Sequence, residues 1–145
     1  MAYNITVHTT NNSGVGFSIV EKTLWNKGIW SSRDGVQLLS LSESGASGML
    51  RYRNNGTGES FIVALGIHQR TRWCDVIMGL DPKDTATPRH ALYYELGKAE
   101  NQTKRQLHTA VITEPTATGR QVTVQYGSDP DNSYNVNVTI SDVEI

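Results

Sequence analysis

The residues of this 145-residue chain best suited to chemistry are four histidines (His8, His68, His90 and His108), the one cysteine, Cys74, and scattered serines and carboxylates. A serine hydrolase needs its nucleophile on a sharp turn, as in a GxSxG elbow, with a histidine held against it. Ser44 lies in ESGAS and Ser47 in ASGM, and neither makes that elbow. The histidines lack HExxH or any other paired spacing that would hold zinc. Asp81-Pro82-Lys83-Asp84 is too short for a calcium loop and lacks its glycine and terminal glutamate. A lone cysteine permits neither an internal disulfide nor a multi-cysteine metal site. No glycine loop suited to phosphate is present. The expectation is a protein that is not an enzyme and uses no metal and no cofactor.

Binding chemistry is better supplied. Trp25, Trp30, Trp73 and the pair Tyr93-Tyr94 are either packing residues or platforms for the apolar face of a sugar ring. Small donors and acceptors cluster in two segments. One holds Ser42, Glu43, Ser44, Gly45 and Ser47; the other holds His68, Gln69, Arg70 and Thr71. Glycine lets a backbone come close to a ligand. By themselves these features indicate a binding protein with its site on loops, and they do not name the ligand.

Such loops need a scaffold, and the dominant period of the chain is two. Tyr3, Ile5 and Val7 alternate with Asn4, Thr6 and His8; Val122, Val124 and Tyr126 with Thr123 and Gln125; and Tyr134, Val136, Val138 and Ile140 with Asn135, Asn137 and Thr139. This is the pattern of strands with one buried and one wet face. Phe17–Leu24 reads as a further strand, and Trp73–Met78 as another. Val36–Leu41 and Met49–Arg53 are expected to pair around the turn-like SESGASG. Asn54-Asn55-Gly56-Thr57-Gly58 is the strongest turn signal, because Asn and Gly accept positive φ. The run FIVALGI within Ser60–Ile67 suits a strand buried on both faces. Asp81–Leu107 breaks the alternation, with Pro82 and Pro88 and a polar stretch, Lys98–Gln106, that is expected to form a short helix. The fold class is therefore all-β, a β-sandwich in a single domain spanning residues 1–145 with a helical excursion.

The bulk numbers narrow the partners. With 13 basic and 14 acidic residues, the chain lacks the surplus of cations that nucleic acid or an anionic membrane requires. No segment approaches the roughly 18 apolar residues of a membrane span. MAYNITVHTT has no charged region, apolar run or cleavage site, so no signal peptide is expected and the location is expected to be cytoplasmic. The sequons at Asn4, Asn11, Asn55, Asn101 and Asn137 are expected to be exposed Asn and Thr on strands and turns.

Several longer motifs carry a resemblance. Val20-Glu21-Lys22-Thr23-Leu24-Trp25 followed by Gly28-Ile29-Trp30, SGASGMLRY at Ser44–Tyr52, GESF at Gly58–Phe61, GIHQRTRWCDVI at Gly66–Ile77, Tyr93-Tyr94 and Arg105-Gln106-Leu107 together look like the fungal fruit-body lectins. The resemblance spans essentially the whole chain. It implies a two-sheet, actinoporin-like β-sandwich with a short helix-loop-helix connection. It also implies a homotetramer, binding of galactose-β1,3-N-acetylgalactosamine (the T-antigen disaccharide) on glycans and glycoproteins, and often a defensive toxicity. Residue by residue, Ser44 and Gly45 match the Ser-Gly at the sugar, and His68 matches the histidine of the adjacent loop. Gln69 stands in for the usual Asn and Arg70 for a common aromatic. A backbone contact falls near Gly28, in a segment shorter than usual. Many members hold N-acetylglucosamine in a second pocket. There Asp75 and Val76 match, whereas Met78, Ala99 and Ala110 replace a Thr, an Arg and a Tyr. The expectation is an impaired second pocket, unless Arg72, Lys98, Lys104 or His108 reaches into it. The rival reading is a membrane-active pore-former on a similar sandwich, which needs an amphipathic N-terminal helix; a first strand beginning at Tyr3 leaves no room for one.

Overall fold

A computed structural model describes residues 2–26, 28–54, 56–78, 80, 84–91, 110–115, 119–127 and 133–142. They form β1 (Tyr3–Asn11), β2 (Ser18–Trp25), β3 (Gly28–Arg33), β4 (Val36–Leu41), β5 (Ser47–Arg53), β6 (Ser60–His68), β7 (Thr71–Ile77), α1 (Ala86–Ala91), β8 (Val111–Pro115), β9 (Arg120–Tyr126) and β10 (Ser133–Asp142). One sheet runs β3-β4-β1-β10-β9-β8 and the other β2-β5-β6-β7. Neighbours are antiparallel except β1 and β10, which pair in parallel from Asn4↔Ser133 to Asn11↔Ile140. The all-β, two-sheet expectation holds.

The alternating residues meet where they should. Ile5, Val7, Val122, Val124, Val136 and Val138 of the larger sheet pack onto Leu50, Phe61, Val63, Leu65 and Ile67 of the smaller one. Each buried aliphatic side chain of this kind stabilises the fold by about 1.5–3 kcal/mol. The whole of FIVALGI is buried, and there are two reasons for it. Its odd-numbered residues face the other sheet, whereas Ile62 and Ala64 face outward, packing with Met49, Trp73 and Ala86 of α1. Gly66 makes room there, since a Cβ would come within 2.8 Å of the Trp73 ring.

The helix is docked at both ends by residues of β2 and β5. Glu21 Oε1 accepts the Ala86 N–H at 2.7 Å and Arg51 Nε at 2.8 Å, and Glu21 Oε2 accepts the Thr87 hydroxyl at 3.2 Å. Burial works to raise the Glu21 carboxyl, but these bonds and the Arg51 charge outweigh it and hold the pKa below the ordinary value. Toward the far end, His90 Nδ1 meets Thr23 Oγ1 at 2.8 Å and Nε2 meets Ser47 Oγ at 2.7 Å. Glu21 and Thr23 alternate along β2, so one strand face supplies both attachments.

One expectation needs correction, and two strands are added to those expected. Val36–Leu41 and Met49–Arg53 do not pair: β4 lies between β3 and β1, and β5 between β2 and β6. The SESGASG segment therefore crosses from one sheet to the other. Gly28–Arg33 is a strand although its sequence gave no alternation, because it is an edge strand with little to bury. β8 is likewise a short edge strand, ending at Pro115, which costs no ladder bond at an edge. Of the helix-loop-helix, α1 is described; the stretch Lys98–Gln106 lies outside the described residues. No helix among the described residues is long and apolar enough to cross a membrane.

Candidate functional site

At the end of the sandwich where the chain crosses between sheets, Tyr3, Glu43, Ser44 and Arg70 line a shallow depression of about 270 Å³. Its walls are two turns clamped together. The Gly45 N–H donates to the Ile67 carbonyl at 2.8 Å, and the Ile67 N–H donates to the Ala46 carbonyl at 3.1 Å. The Arg70 N–H donates to Ser44 Oγ at 2.9 Å. Gly45, at φ 88°, lets the first turn take this path. The second turn, His68-Gln69-Arg70-Thr71, is a two-residue hairpin with both central residues left-handed, Gln69 at φ 49° and Arg70 at φ 66°. Such hairpins ordinarily recruit Asn-Gly or Asp-Gly. Here two long polar side chains occupy strained positions instead, and both are exposed.

The structure thus places Ser44, Gly45, His68, Gln69 and Arg70 on two adjoining turns. Gly28 opens β3 and lines a separate, larger depression of about 510 Å³ with Asn26, Ile29, Ser40 and Ser42. Sequence reasoning placed Tyr3 in the core by alternation; it is 4% exposed and also lines the Ser44 depression, because it sits at the strand's end. Only the tertiary position reveals that second role. The depression offers a hydroxyl, a carboxylate, a guanidinium and peptide groups at its surface. This inventory suits many weak, directional bonds to a polyhydroxylated ligand.

The residues matched to a second pocket are less well gathered. Asp75 is buried and its Oδ1 accepts the Val76 N–H at 2.9 Å. Val76 belongs to the core between the sheets, and Met78 packs against that core. Ala110 is exposed and its carbonyl accepts the Tyr126 N–H at 2.8 Å. Ala99 lies outside the described residues, as do Lys98, Lys104 and His108. Arg72 lies over the rings of Tyr126 and Tyr134.

The tryptophans serve packing. Trp30 Nε1 donates to the Thr23 carbonyl at 2.8 Å, and its ring covers Gly48, where a Cβ would approach to 2.7 Å. Trp73 is fully buried, and Trp25 packs on the His90 ring at 6.0 Å. Tyr93 and Tyr94 lie outside the described residues. Ser47 and His90 have the spacing of a nucleophile and its base. Both are buried, and Thr23 Oγ1 occupies the other ring nitrogen of His90. Burial also lowers the His90 pKa to about 4, a poor value for a base. Among the described residues, no group of three metal-ligating side chains converges.

Comparison with known proteins bears on the ligand class. A family model described as fungal fruit body lectin matches residues 1–138. The chain is 38% identical over 146 residues to Boletus edulis lectin, covering 97% of this chain and all of that protein. It superposes on the crystal structure of wild-type Xerocomus chrysenteron lectin with a TM-score of 0.89 at 36% identity, covering 97% of this chain and 100% of the other. A methionine-substituted form of that lectin gives the same TM-score and identity.

Proposed function

Because the chain belongs to the fungal fruit body lectin family, and is therefore a carbohydrate-binding protein, we propose that it recognises glycans ending in galactose or N-acetylgalactosamine, such as the T-antigen disaccharide. The observation that carries this reading is the clamped pair of turns. Ser44 and Gly45, which resemble the family's sugar-contacting residues, are bonded directly to Arg70 and Ile67 of the hairpin that carries His68 and Gln69. Ser44 Oγ already accepts the Arg70 N–H, so its own proton is left to donate to a sugar hydroxyl. His68, Gln69 and Arg70 supply the opposite side. The protein acts by binding, not catalysis, and is proposed to be defensive.

A shallow polar site binds weakly, and the proposed homotetramer compensates, since linked sites raise avidity by roughly 10²–10⁴ without new contacts. The N-acetylglucosamine pocket is proposed to be impaired. A glycan array tests the specificity: hits are expected on galactose- and N-acetylgalactosamine-terminated structures, and their absence sinks the reading. Light scattering at micromolar concentration tests the assembly, where a stable monomer would remove the avidity.

A further inference from the structure

Beside the Ser44 depression, the same end of the sandwich holds a cation to which the described residues offer no anion. Arg72 lies on β7 opposite Ile67, the residue whose carbonyl receives Gly45. Arg72 and Gly45 thus flank one residue of β6 from its two sides, two strand spacings or roughly 10 Å apart. The Arg72 guanidinium sits 5.2 Å from the centroid of the Tyr126 ring and 5.7 Å from that of Tyr134. These rings meet edge to face at 6.0 Å, and the Tyr126 hydroxyl donates to the Trp73 carbonyl at 2.9 Å. The arginine head is therefore held by rigid walls. Tyr134 pairs with Ile5 on β1, the strand that begins with Tyr3 of the depression.

Ring contacts stabilise the charge but give its N–H groups nothing to bond. Arg72 Nε is buried and has no hydrogen-bond partner among the described residues. Ion pairs among those residues go to Arg51 and Arg120, not to Arg72. Arg72 as a whole is only half-buried, which leaves it an approach from solvent. A planar guanidinium fixed in this way is preorganised for an anion with paired oxygens.

The geometry points to an anion subsite in which Arg72 takes a carboxylate or sulfate carried by the glycan held at the Ser44 loop. The inference rests on that loop being the glycan site. The depression itself carries one acid, Glu43, and one base, Arg70, and so has no net charge of its own, which leaves Arg72 as the unmatched cation beside it among the described residues.

The test is a set of titrations of wild type, Arg72→Gln and Arg72→Lys with three probes: galactose-β1,3-N-acetylgalactosamine, its sialylated form and its sulfated form. The wild type is expected to bind at least one charged probe about tenfold more tightly than the neutral one, with the gain shrinking as salt is added. The two charged arms distinguish carboxylate from sulfate. Arg72→Gln is expected to lose the gain and keep the neutral affinity, and Arg72→Lys to keep part of it, lacking the fork. A purely structural arginine would change thermal stability and leave the charged-to-neutral ratio unaltered, which overturns the subsite. Equal wild-type affinity for all three probes overturns it too, and leaves the galactose reading standing. Binding of a charged probe alone overturns the galactose reading and supports the subsite, and no binding of any probe overturns both.

Discussion

The Arg70 N–H donates to Ser44 Oγ at 2.9 Å, tying the segment that crosses between the sheets to the β6–β7 turn. One serine therefore shapes the site and faces the proposed ligand. Ser44→Ala is expected to weaken binding of the T-antigen disaccharide at least about tenfold, and His68→Ala likewise, because a lost bond with an unsatisfied partner costs roughly 1–3 kcal/mol. The Arg70 N–H is exposed and can turn to water, so the Ser44 variant should keep its fold. Titration calorimetry beside circular dichroism checks both points; wild-type affinity in both variants would place the site elsewhere.

Arg70 at φ 66° sits in the left-handed region, which costs an L-residue roughly 1–2 kcal/mol. Arg70→Gly removes that strain and adds some unfolded-state entropy. The net expectation is a gain of about 1 kcal/mol, or about 3 °C in Tm. The same change removes the guanidinium from the depression and should weaken glycan binding. Scanning calorimetry and a glycan titration read the two effects; an unchanged or lowered Tm would show that the turn is not strained.

The second pocket should bind N-acetylglucosamine poorly or not at all. Ala99 and Ala110 offer only backbone groups, and Met78 offers a thioether, a weak acceptor and no donor. Two or three missing bonds at about 0.5–1.5 kcal/mol each remove on the order of 1–4 kcal/mol, against about 4 kcal/mol in total for a millimolar ligand. Calorimetry with the T-antigen disaccharide as positive control decides it. Saturable binding of both sugars without mutual competition would mean that the second site works.

Acid should loosen α1. His90 is buried against Trp25, Thr23 and Ser47, with its pKa lowered from 6.5 to about 4. The unfolded chain takes up this proton below about pH 6.5, whereas the folded one resists until about pH 4. Stability contributed by the neutral ring is thus complete above pH 6.5 and falls away between there and pH 4, by up to about 3 kcal/mol. Glu21, whose pKa is also lowered, adds a loss in the same direction below its ordinary value of 4.5. His90→Gln should flatten the dip between pH 6.5 and 4, while costing some stability at neutral pH. Denaturant midpoints measured from pH 7.5 to 4 test this; an equally steep fall in the variant would assign the acid loss to other groups.

Much of this protein was legible in its residues. Alternation at Tyr3–Val7, Val122–Tyr126 and Tyr134–Ile140 marks the strands and the faces they bury, since a period of two leaves each side chain one choice of side. The length and apolarity of FIVALGI mark the central strand. The motifs around Ser44 and His68 mark both walls of the candidate site. Edge strands β3 and β8 escaped, because β3 buries little and β8 is five residues long with Ile112 its one core side chain, too short a run for a period to show.

What the tertiary structure alone decided is which distant segments meet. Nothing local says that β4 and β5 belong to different sheets, or that β1 pairs in parallel with β10 across nearly the whole chain. Nor does it say that Thr23 and Ser47 share the ring of His90, or that Tyr126 and Tyr134 enclose Arg72. A side chain's period is set by its own backbone and is written into neighbouring residues. Its partner is set by the packing of faces that many sequences share, and that choice is made only when the two sheets close on one core.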